Sequence, residues 1–230
     1  MNDRPELPSI ERETTPSMRA VILGSLVAAI LGLLLFAWLA DEVFEGGARR
    51  FDETVRGAVH QYASPWLTST MVAISALGSE VLVAVFIVAF IVFLKMKWRR
   101  AAIWLAMTMA GGMLLQVALK FSFQRTRPEA FFGTLPHSYS FPSGHSLMSF
   151  CIYGVLAGLV TARIRSGAIR VVIWTAAAVL VAAIGLSRIY LGVHYPSDVV
   201  AGYLAAAVWV STLITADRYR KHKRLRAAEK

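Results

Sequence analysis

The sequence predicts an all-α, polytopic membrane protein with six transmembrane helices and an N-terminal interfacial amphipathic helix. Of its 230 residues, 57% are hydrophobic and only 17% are charged, a composition too apolar for an ordinary soluble domain. Six runs contain no charged residue, and a helix of roughly 20 apolar residues crosses the hydrocarbon core. A soluble bundle is the alternative, but six such helices leave too little polar surface to cover them. The runs are residues 20–40, 81–94, 101–119, 146–162, 171–186 and 199–216.

The first run is expected to be a retained span, because it is longer than the roughly 7–15 apolar residues of a secretory signal. Residues 81–94 and 171–186 are short for a span, so charged side chains beside them are expected to reach toward the headgroups. Residues 66–77 are apolar but too short to cross. They are expected to form a half-buried segment that Gly78 joins to the second span.

A helix with one apolar stripe is predicted between the first two spans. Phe51, Val55, Val59 and Tyr62 recur at three to four residues, and the helix is expected to end near Ser64. Such a helix either lies flat in the membrane interface or packs on the end of the bundle. The periodicity alone does not choose between these two positions.

The net charge of +10 is concentrated in alternate loops, which is the positive-inside pattern of multi-pass proteins. Lysines and arginines cluster between the second and third spans, between the fourth and fifth, and after the sixth. If these segments are cytoplasmic, an even number of spans places the loops at residues 120–145 and 187–198 outside. The charge is therefore explained by topology, and no nucleic-acid partner is expected.

A single six-span domain is expected at residues 18–217. It is preceded by a disordered cytoplasmic segment at residues 1–17, which contains three prolines, and followed by a basic cytoplasmic tail at residues 218–230. Cys151 is the single cysteine and lies in an apolar run, so it forms no intramolecular disulfide and is assigned no role.

An anion site is predicted where the fourth span begins, at Gly144 and His145. The start of a helix leaves unpaired backbone N–H groups and the positive end of the helix dipole, and glycine lets an anion approach the backbone closely. Ser143 adds a hydroxyl group, although a simple N-cap role explains this serine equally well.

His194 and Asp198 are four residues apart, with Pro196 between them at the start of the last span. If the turn is helical, both side chains project from one face. A carboxylate that holds one ring nitrogen fixes the tautomer and leaves the other nitrogen free as a nucleophile. Alternatively, Asp198 complements the helix dipole and His194 is an ordinary loop residue.

Fixed cations flank both of these strings. Lys120 and Arg127 follow the third span, and Arg188 ends the fifth span on the same side. Each cation alone is explained as an interfacial anchor. Three of them beside two histidines indicate a site for a phosphoryl group, and Arg125 is a weaker candidate for the same cluster.

These strings closely resemble the type 2 phosphatidic acid phosphatase superfamily, also called the lipid phosphate phosphatases. The pattern of that family is Lys-x6-Arg-Pro, then Pro-Ser-Gly-His, then Ser-Arg-x5-His-x3-Asp, and the chain matches every fixed position from Lys120 to Asp198. The resemblance implies a metal-independent lipid phosphatase of the plasma (inner) membrane that needs no cofactor. It also implies that the substrate is a phosphorylated lipid. Because the charge pattern places the motif loops outside, the active site is expected on the extracytoplasmic side and the substrate in the outer leaflet.

The resemblance further implies a role for each residue. His194 attacks phosphorus and forms a phosphohistidine, Asp198 holds its other ring N–H, and His145 protonates the leaving oxygen and then activates water. Such a site works by placing charge around the phosphoryl group. The residues implied to bind its oxygens are Lys120, Arg127, Ser143, Gly144 and Arg188.

Three other functions fit parts of the pattern. His145, His194 and Asp198 are a possible facial metal set, although three adjacent cations would repel a divalent ion. A non-catalytic phospholipid-binding protein would use the cations alone, and a lipid phosphotransferase would pass the phosphoryl group to another lipid. The substrate stays open among phosphatidic acid, phosphatidylglycerol phosphate, undecaprenyl pyrophosphate and lipid A phosphates. The walls of the pocket are expected to come from Phe131, Phe132, Tyr139, Phe141 and the amphipathic helix between the first two spans.

Overall fold

The computed structural model describes residues 18–135 and 137–228, and in these residues the chain forms eight α-helices and no β-strand. The predicted all-α class is therefore confirmed. The disorder predicted for residues 1–17 lies outside the described residues. The helices are α1 (Met18–Phe44), α2 (Arg49–His60), α3 (Pro65–Ala76), α4 (Glu80–Lys95), α5 (Arg99–Phe123), α6 (Gly144–Thr161), α7 (Gly167–Tyr190) and α8 (Pro196–Ala228).

Six segments of the described chain are long and apolar enough to cross a membrane, as the sequence predicts. The second of them, Pro65–Lys95, has 31 residues and contains both α3 and α4. The junction predicted at Gly78 is present. Because α3 contributes to this span, residues 81–94 do not have to cross the membrane alone.

Helix α6 lies at the centre of the bundle. In its most apolar window 50% of the residues are buried, whereas the other five spans have 11% to 33%. It packs against α5, α7 and α8, and its Leu147, Cys151 and Ile152 are fully buried in the core. The first turn of α6 is therefore held from several sides, which fixes the predicted anion site in position.

Small and hydroxylated residues bring α8 close to its neighbours. A Cβ added at Gly32 of α1 would lie 3.0 Å from Val208, and the hydroxyl oxygens of Ser25 and Thr215 are 2.7 Å apart. Small residues and hydrogen bonds of this kind are what joins helices in a membrane, where lipid is as apolar as leucine.

Helix α2 is amphipathic, but its buried face differs from the predicted stripe. Phe51 and Tyr62 are 54% and 70% exposed, whereas Asp52 is fully buried. The buried side is turned toward α7 and α8, and the Arg56 guanidinium donates a hydrogen bond to the carbonyl of Glu129 at 2.7 Å. Packing on the end of the bundle, one of the two predicted positions, therefore describes this face of α2.

The basic loops meet at the other end of the bundle. The guanidinium of Arg163 lies 3.5 Å from the centre of the Trp98 ring, which joins the loop after α6 to the loop before α5. Arg100 at the start of α5 pairs with Asp217 near the end of α8, with Nη2 and Oδ2 2.5 Å apart. The cationic end and the predicted site are thus at opposite ends of the helices.

Candidate active site

A cavity of about 240 Å³ opens where α5 and α7 end and where α6 and α8 begin. Six of the eight predicted site residues line it, although they come from distant parts of the sequence. Asp198 lies behind His194, and Ser143 is not among the lining residues. The lining residues are Gly78, Gln116, Lys120, Arg127, Ser138, Gly144, His145, Met148, Arg188 and His194.

His194 and Asp198 are joined as their spacing predicts. Nδ1 of His194 lies 3.3 Å from Oδ2 of Asp198, and both side chains are almost wholly buried. The same carboxylate oxygen accepts a hydrogen bond from the backbone N–H of Tyr195 at 2.9 Å and another from the hydroxyl of Ser140. These donors fix the carboxylate, and the carboxylate in turn fixes the imidazole ring.

Arg127 determines which ring nitrogen of His194 carries the proton. One of its Nη atoms lies 3.1 Å from Nε2 of His194. Because a guanidinium group only donates, Nε2 accepts and the proton is on Nδ1, where it faces Asp198. The lone pair of Nε2 therefore accepts from Arg127, which itself lines the cavity, and a ligand that takes over this hydrogen bond would free the lone pair as a nucleophile.

The His194 ring is also held in its neutral form. Burial lowers its pKa to about 4, an effect that Asp198 opposes and that the positive charges of Arg127 and Arg188 reinforce. An ordinary histidine has a pKa near 6.5. At neutral pH the imidazole is therefore unprotonated at Nε2.

Two of the cations are anchored by the loop before α6. Arg127 donates to the carbonyl of Ser138 from Nε at 2.7 Å and to the carbonyl of Val193 from Nη1 at 2.7 Å. Lys120 donates to the carbonyl of Tyr139. Within the described part of the chain this is the one hydrogen bond of the Lys120 ammonium group, so two of its three N–H donors are left for a ligand.

Arg188 lines the cavity with N–H donors that no described residue accepts. Its guanidinium donates to the hydroxyl of Ser75 in α3, while its Nε is buried and has no partner among the described residues. The side chain is only 8% exposed. A buried N–H group without an acceptor is costly, so this geometry favours an anionic ligand in the cavity.

The start of α6 combines a cap with an anion site. The Ser143 hydroxyl accepts the N–H of Ser146 at 3.5 Å, which is the N-cap role, and its contact with a phosphate stays a prediction. The N–H groups of Gly144 and His145 are the first of the helix and have no intrahelical acceptor. A Cβ at Gly144 would lie 2.6 Å from the amide carbon of Gln116, so glycine keeps this wall of the cavity open.

His145 lies on the cavity wall beside the break in the second span. Its imidazole makes no hydrogen bond to any described residue, so both ring nitrogens are available to a ligand. A Cβ at Gly78 would lie 3.0 Å from Cδ2 of this ring. The glycine between α3 and α4 therefore gives His145 its space.

The three residues of the possible facial metal set do not converge. Oδ1 of Asp198 accepts from Arg125 at 2.6 Å, and Oδ2 accepts from Tyr195 and lies against His194. The carboxylate is thus occupied behind the histidine instead of facing the cavity beside His145. In the chain as described, no group of three histidine, cysteine or acidic residues is placed to hold a metal ion.

Arg125 does not belong to the cation cluster that lines the cavity. It lies between two carboxylates, with Nη2 2.8 Å from Oδ2 of Asp52 and Nη1 2.6 Å from Oδ1 of Asp198. Sequence reasoning missed Asp52, because it is not one of the residues of the predicted apolar stripe. Its spacing of three and seven residues from Val55 and Val59 is the signal that would have placed it on the buried side.

The predicted aromatic walls lie elsewhere. Phe141 is fully buried in the core, where its ring lies 5.1 Å from that of Phe123. Phe131 stacks on His60 at 3.9 Å and Phe132 stacks on Tyr190 at 5.5 Å. None of these, nor Tyr139, lines the cavity, whose walls instead include Gln116, Ser138, Met148 and Gly78.

The cavity lies at one end of a six-span bundle and is lined by fixed cations and a neutral imidazole. These are the features expected of a membrane protein that binds phosphoryl groups. The family model of the PAP2 superfamily matches residues 101–222. The chain belongs to this superfamily, and it is a multi-pass membrane phosphatase, a hydrolase of phosphoric esters.

Known relatives and a solved structure agree with this assignment. The chain is 31% identical over 176 residues to phosphatidylglycerophosphatase B of Bacillus subtilis (strain 168), an alignment that covers 74% of this chain and 85% of the relative. It is 32% identical over 153 residues to an undecaprenyl-diphosphatase of Sulfolobus acidocaldarius, an alignment that covers 64% of this chain and 68% of that relative. The crystal structure of a transmembrane PAP2-type phosphatidylglycerolphosphate phosphatase from Bacillus subtilis has a TM-score of 0.76 at 25% identity, over 84% of this chain and 96% of that one.

Proposed function

We propose that this protein hydrolyses a phosphomonoester or pyrophosphate on the headgroup of a membrane lipid, without a metal ion, through a phosphohistidine on His194. The observation that carries the proposal is the polarity of the cavity. Arg188 and Lys120 present unused donors to it, and the lone pair of a neutral imidazole faces the same space. A phosphoryl group supplies the acceptors for these donors and the electrophile for this nitrogen.

In the first step, the phosphoryl oxygens accept hydrogen bonds from Arg188, Lys120 and the N–H of Gly144. Arg127 transfers its hydrogen bond from Nε2 of His194 to a phosphoryl oxygen, which frees the lone pair. Nε2 then forms a bond to phosphorus while the bond from phosphorus to the lipid oxygen breaks. His145 gives its proton to that leaving oxygen, so the lipid departs as a neutral alcohol or as a phosphate monoester.

The phosphorylated His194 ring carries a positive charge that the buried carboxylate of Asp198 stabilises. In the second step, the neutral His145 takes a proton from water, whose oxygen bonds to phosphorus as the nitrogen–phosphorus bond breaks. Inorganic phosphate leaves, and His145 is again protonated. The fixed cations balance the negative charge on the phosphoryl oxygens throughout both steps.

The size of the cavity supports a lipid headgroup as the reacting part of the substrate. Its volume of about 240 Å³ is below the roughly 300–1,000 Å³ of pockets that enclose whole small molecules. The apolar tail of the substrate therefore stays outside the cavity, in the bilayer beside the helices. Phosphatidylglycerol phosphate, phosphatidic acid, lipid A phosphates and undecaprenyl pyrophosphate all present a terminal phosphoryl group in this way.

The distribution of charge supports an active site on the extracytoplasmic side of the plasma (inner) membrane. Arginine and lysine side chains dominate the loops at residues 95–100 and 162–170 and the end of α8. These segments lie at the end of the bundle opposite to the cavity, and basic loops stay in the cytoplasm. The cavity would then take its substrate from the outer leaflet.

Phosphate release tests the chemistry. The purified protein in detergent and EDTA is offered phosphatidylglycerol phosphate, undecaprenyl pyrophosphate and phosphatidic acid in parallel. We expect release from at least one lipid, its loss in His194→Ala, and full activity in the matched control His222→Ala, since His222 lies near the other end of α8. Release by His194→Ala at the unmodified rate, or activity only after a divalent cation is restored, would contradict the mechanism.

Sidedness is tested separately, with right-side-out membrane vesicles and an impermeant water-soluble phosphate ester. Hydrolysis by intact vesicles is expected. Activity that appears only after the vesicles are permeabilised would place the site on the cytoplasmic side.

A further inference from the structure

Asp52 is a buried carboxylate on a peripheral helix. It lies in α2, outside the residues 101–222 that the family model matches, and it is fully buried although Phe51 beside it is largely exposed. Its Oδ1 accepts the backbone N–H of Ser197 at 2.8 Å, and its Oδ2 accepts the hydroxyl of the same serine at 2.6 Å. A buried charge persists only when it is paired and hydrogen-bonded, so these contacts account for its position.

Arg125 connects this carboxylate to the one behind the nucleophile. Its two Nη atoms contact Oδ2 of Asp52 at 2.8 Å and Oδ1 of Asp198 at 2.6 Å, and the second of them also donates to the Ser197 hydroxyl at 2.8 Å. The guanidinium lies 4.1 Å from the centre of the Tyr195 ring. Both Nη atoms of the planar guanidinium are therefore held by carboxylates. A lysine ammonium group would not make both contacts in this geometry.

We propose that Asp52 is a positioning residue for His194, acting through Arg125 and Asp198. The inference rests on the proposed function, in which His194 is the nucleophile. The contacts form one chain of alternating charge: the Asp52 carboxylate, the Arg125 guanidinium, the Asp198 carboxylate and the imidazole that becomes positive when it is phosphorylated.

The charge of Asp52 matters because Arg125 alone would neutralise Asp198. With one carboxylate on each side, the guanidinium is shared, and Asp198 keeps negative charge for the ring that it contacts. Burial lowers the pKa of the Arg125 side chain, but Asp198 and Asp52 together raise it above its ordinary value. The Arg125 guanidinium is thus charged, and its positive charge is neutralised by Asp52 and Asp198 together.

The geometry matters as well. Arg125 binds Oδ1 of Asp198, which leaves Oδ2 directed at Nδ1 of His194. If Asp52 no longer holds the far end of the guanidinium, the carboxylate is free to rotate, and the tautomer and orientation of the ring are less well defined. Because Asp52 does not line the cavity, its loss affects the chemical step and leaves the binding of substrate intact.

The test is the isosteric change Asp52→Asn, assayed with phosphatidylglycerol phosphate in detergent micelles. We expect kcat to fall about 10–100-fold, the range found when the outer partners of metal-bound histidines are changed, with KM nearly unchanged. Single-turnover measurements should show slower formation of the phosphohistidine. The matched control is Glu53→Gln, since Glu53 is exposed on the next position of α2 and, among the described residues, pairs only with Arg49.

A double-mutant cycle distinguishes an effect of Asp52 that acts through Arg125 from two unrelated losses of activity. Arg125→Lys should cost at least as much as Asp52→Asn, and the double variant little more than Arg125→Lys alone, because Asp52 acts only through this guanidinium. Should Asp52→Asn not fold, Ser197→Ala removes the hydroxyl between Asp52 and Arg125 and is expected to lower kcat severalfold.

Activity of Asp52→Asn equal to that of Glu53→Gln would overturn the inference. So would a rise in KM at constant kcat, or additive losses in the cycle. His194→Ala is run beside these variants: if it keeps its turnover, the proposed function fails. If it loses turnover while Asp52→Asn is unaffected, only the role of Asp52 fails.

Discussion

Acid titration tests whether His194 is kept neutral as its surroundings indicate. Burial, reinforced by Arg127 and Arg188 and opposed by Asp198, lowers its pKa to about 4. At pH 5.5 about 97% of such a ring is neutral, against about 9% of a histidine with the ordinary pKa near 6.5. Phosphohistidine formation at pH 5.5 should therefore stay near its plateau, about tenfold above the value for an unperturbed nucleophile.

Two measurements check this magnitude. Rapid-quench formation of phosphohistidine between pH 4 and pH 8 gives the rate of the first step. Nuclear magnetic resonance of protein labelled in its five histidines gives the protonation of the ring itself, with His194→Gln used to assign the signal. An NMR midpoint near pH 6.5, together with a tenfold loss of the first step at pH 5.5, would refute the reasoning from burial.

The same shift sets the sign of a stability change. Because the pKa of His194 is lower in the folded protein, the unfolded chain binds more protons between about pH 4 and pH 6.5. The contribution of this group to the free energy of unfolding is therefore complete above pH 6.5 and is lost as the pH falls toward 4. Thermal unfolding should show a smaller decrease of Tm on acidification in His194→Gln than in the unmodified protein.

Three substitutions test other parts of the site. Asp198→Asn should lower kcat about 10²–10⁴-fold with little change in KM, because an amide can donate to Nδ1 and hold the wrong tautomer; a loss of less than about threefold in phosphate release would contradict this. Gly144→Ala would place a Cβ 2.6 Å from the Gln116 amide carbon and push that amide into the cavity, so KM should rise and Gln116→Ala in the same chain should restore part of the affinity. Failure of that rescue would mean that the two residues do not share the space. Gly192→Ala forces a residue with φ of 76° to carry a Cβ only 2.5 Å from the Phe131 nitrogen, and it should destabilise the protein by about 1–3 kcal/mol in thermal unfolding, whereas an unchanged Tm would show that this loop yields easily.

The six spans were predictable because each needs only its own apolar run. Residues 101–119, for example, lie inside α5, which has 25 residues. The second span was the exception. Its apolar sequence is interrupted at Gly78, so hydropathy predicts two short segments, residues 66–77 and 81–94, where the structure has one span. At this break the carbonyl of Leu77 accepts a hydrogen bond from Tyr153 of α6 at 2.6 Å, a contact that the sequence does not predict.

The site was predictable where chemistry and spacing are local. His194 and Asp198 lie one helical turn apart, and Gly144 begins a helix, so local geometry alone places Asp198 against His194 and leaves free N–H groups at Gly144. The partners that support these groups carry no such signal. Ser75 contacts Arg188 across 113 residues, and Asp52 contacts Ser197 across 145.

The sequence by itself therefore determined the membrane class and the number of spans, and it predicts the side on which the motif loops fall and the identity of the reacting groups. These properties follow from hydropathy, charge and local spacing. The tertiary structure alone decided that Arg125 bridges two carboxylates, that Phe141 belongs to the core, and that the cavity is walled by Gln116 and Gly78. The reason is physical: a serine, a glutamine or an aspartate on a helix has many possible partners, and only the packing of that helix against another selects one.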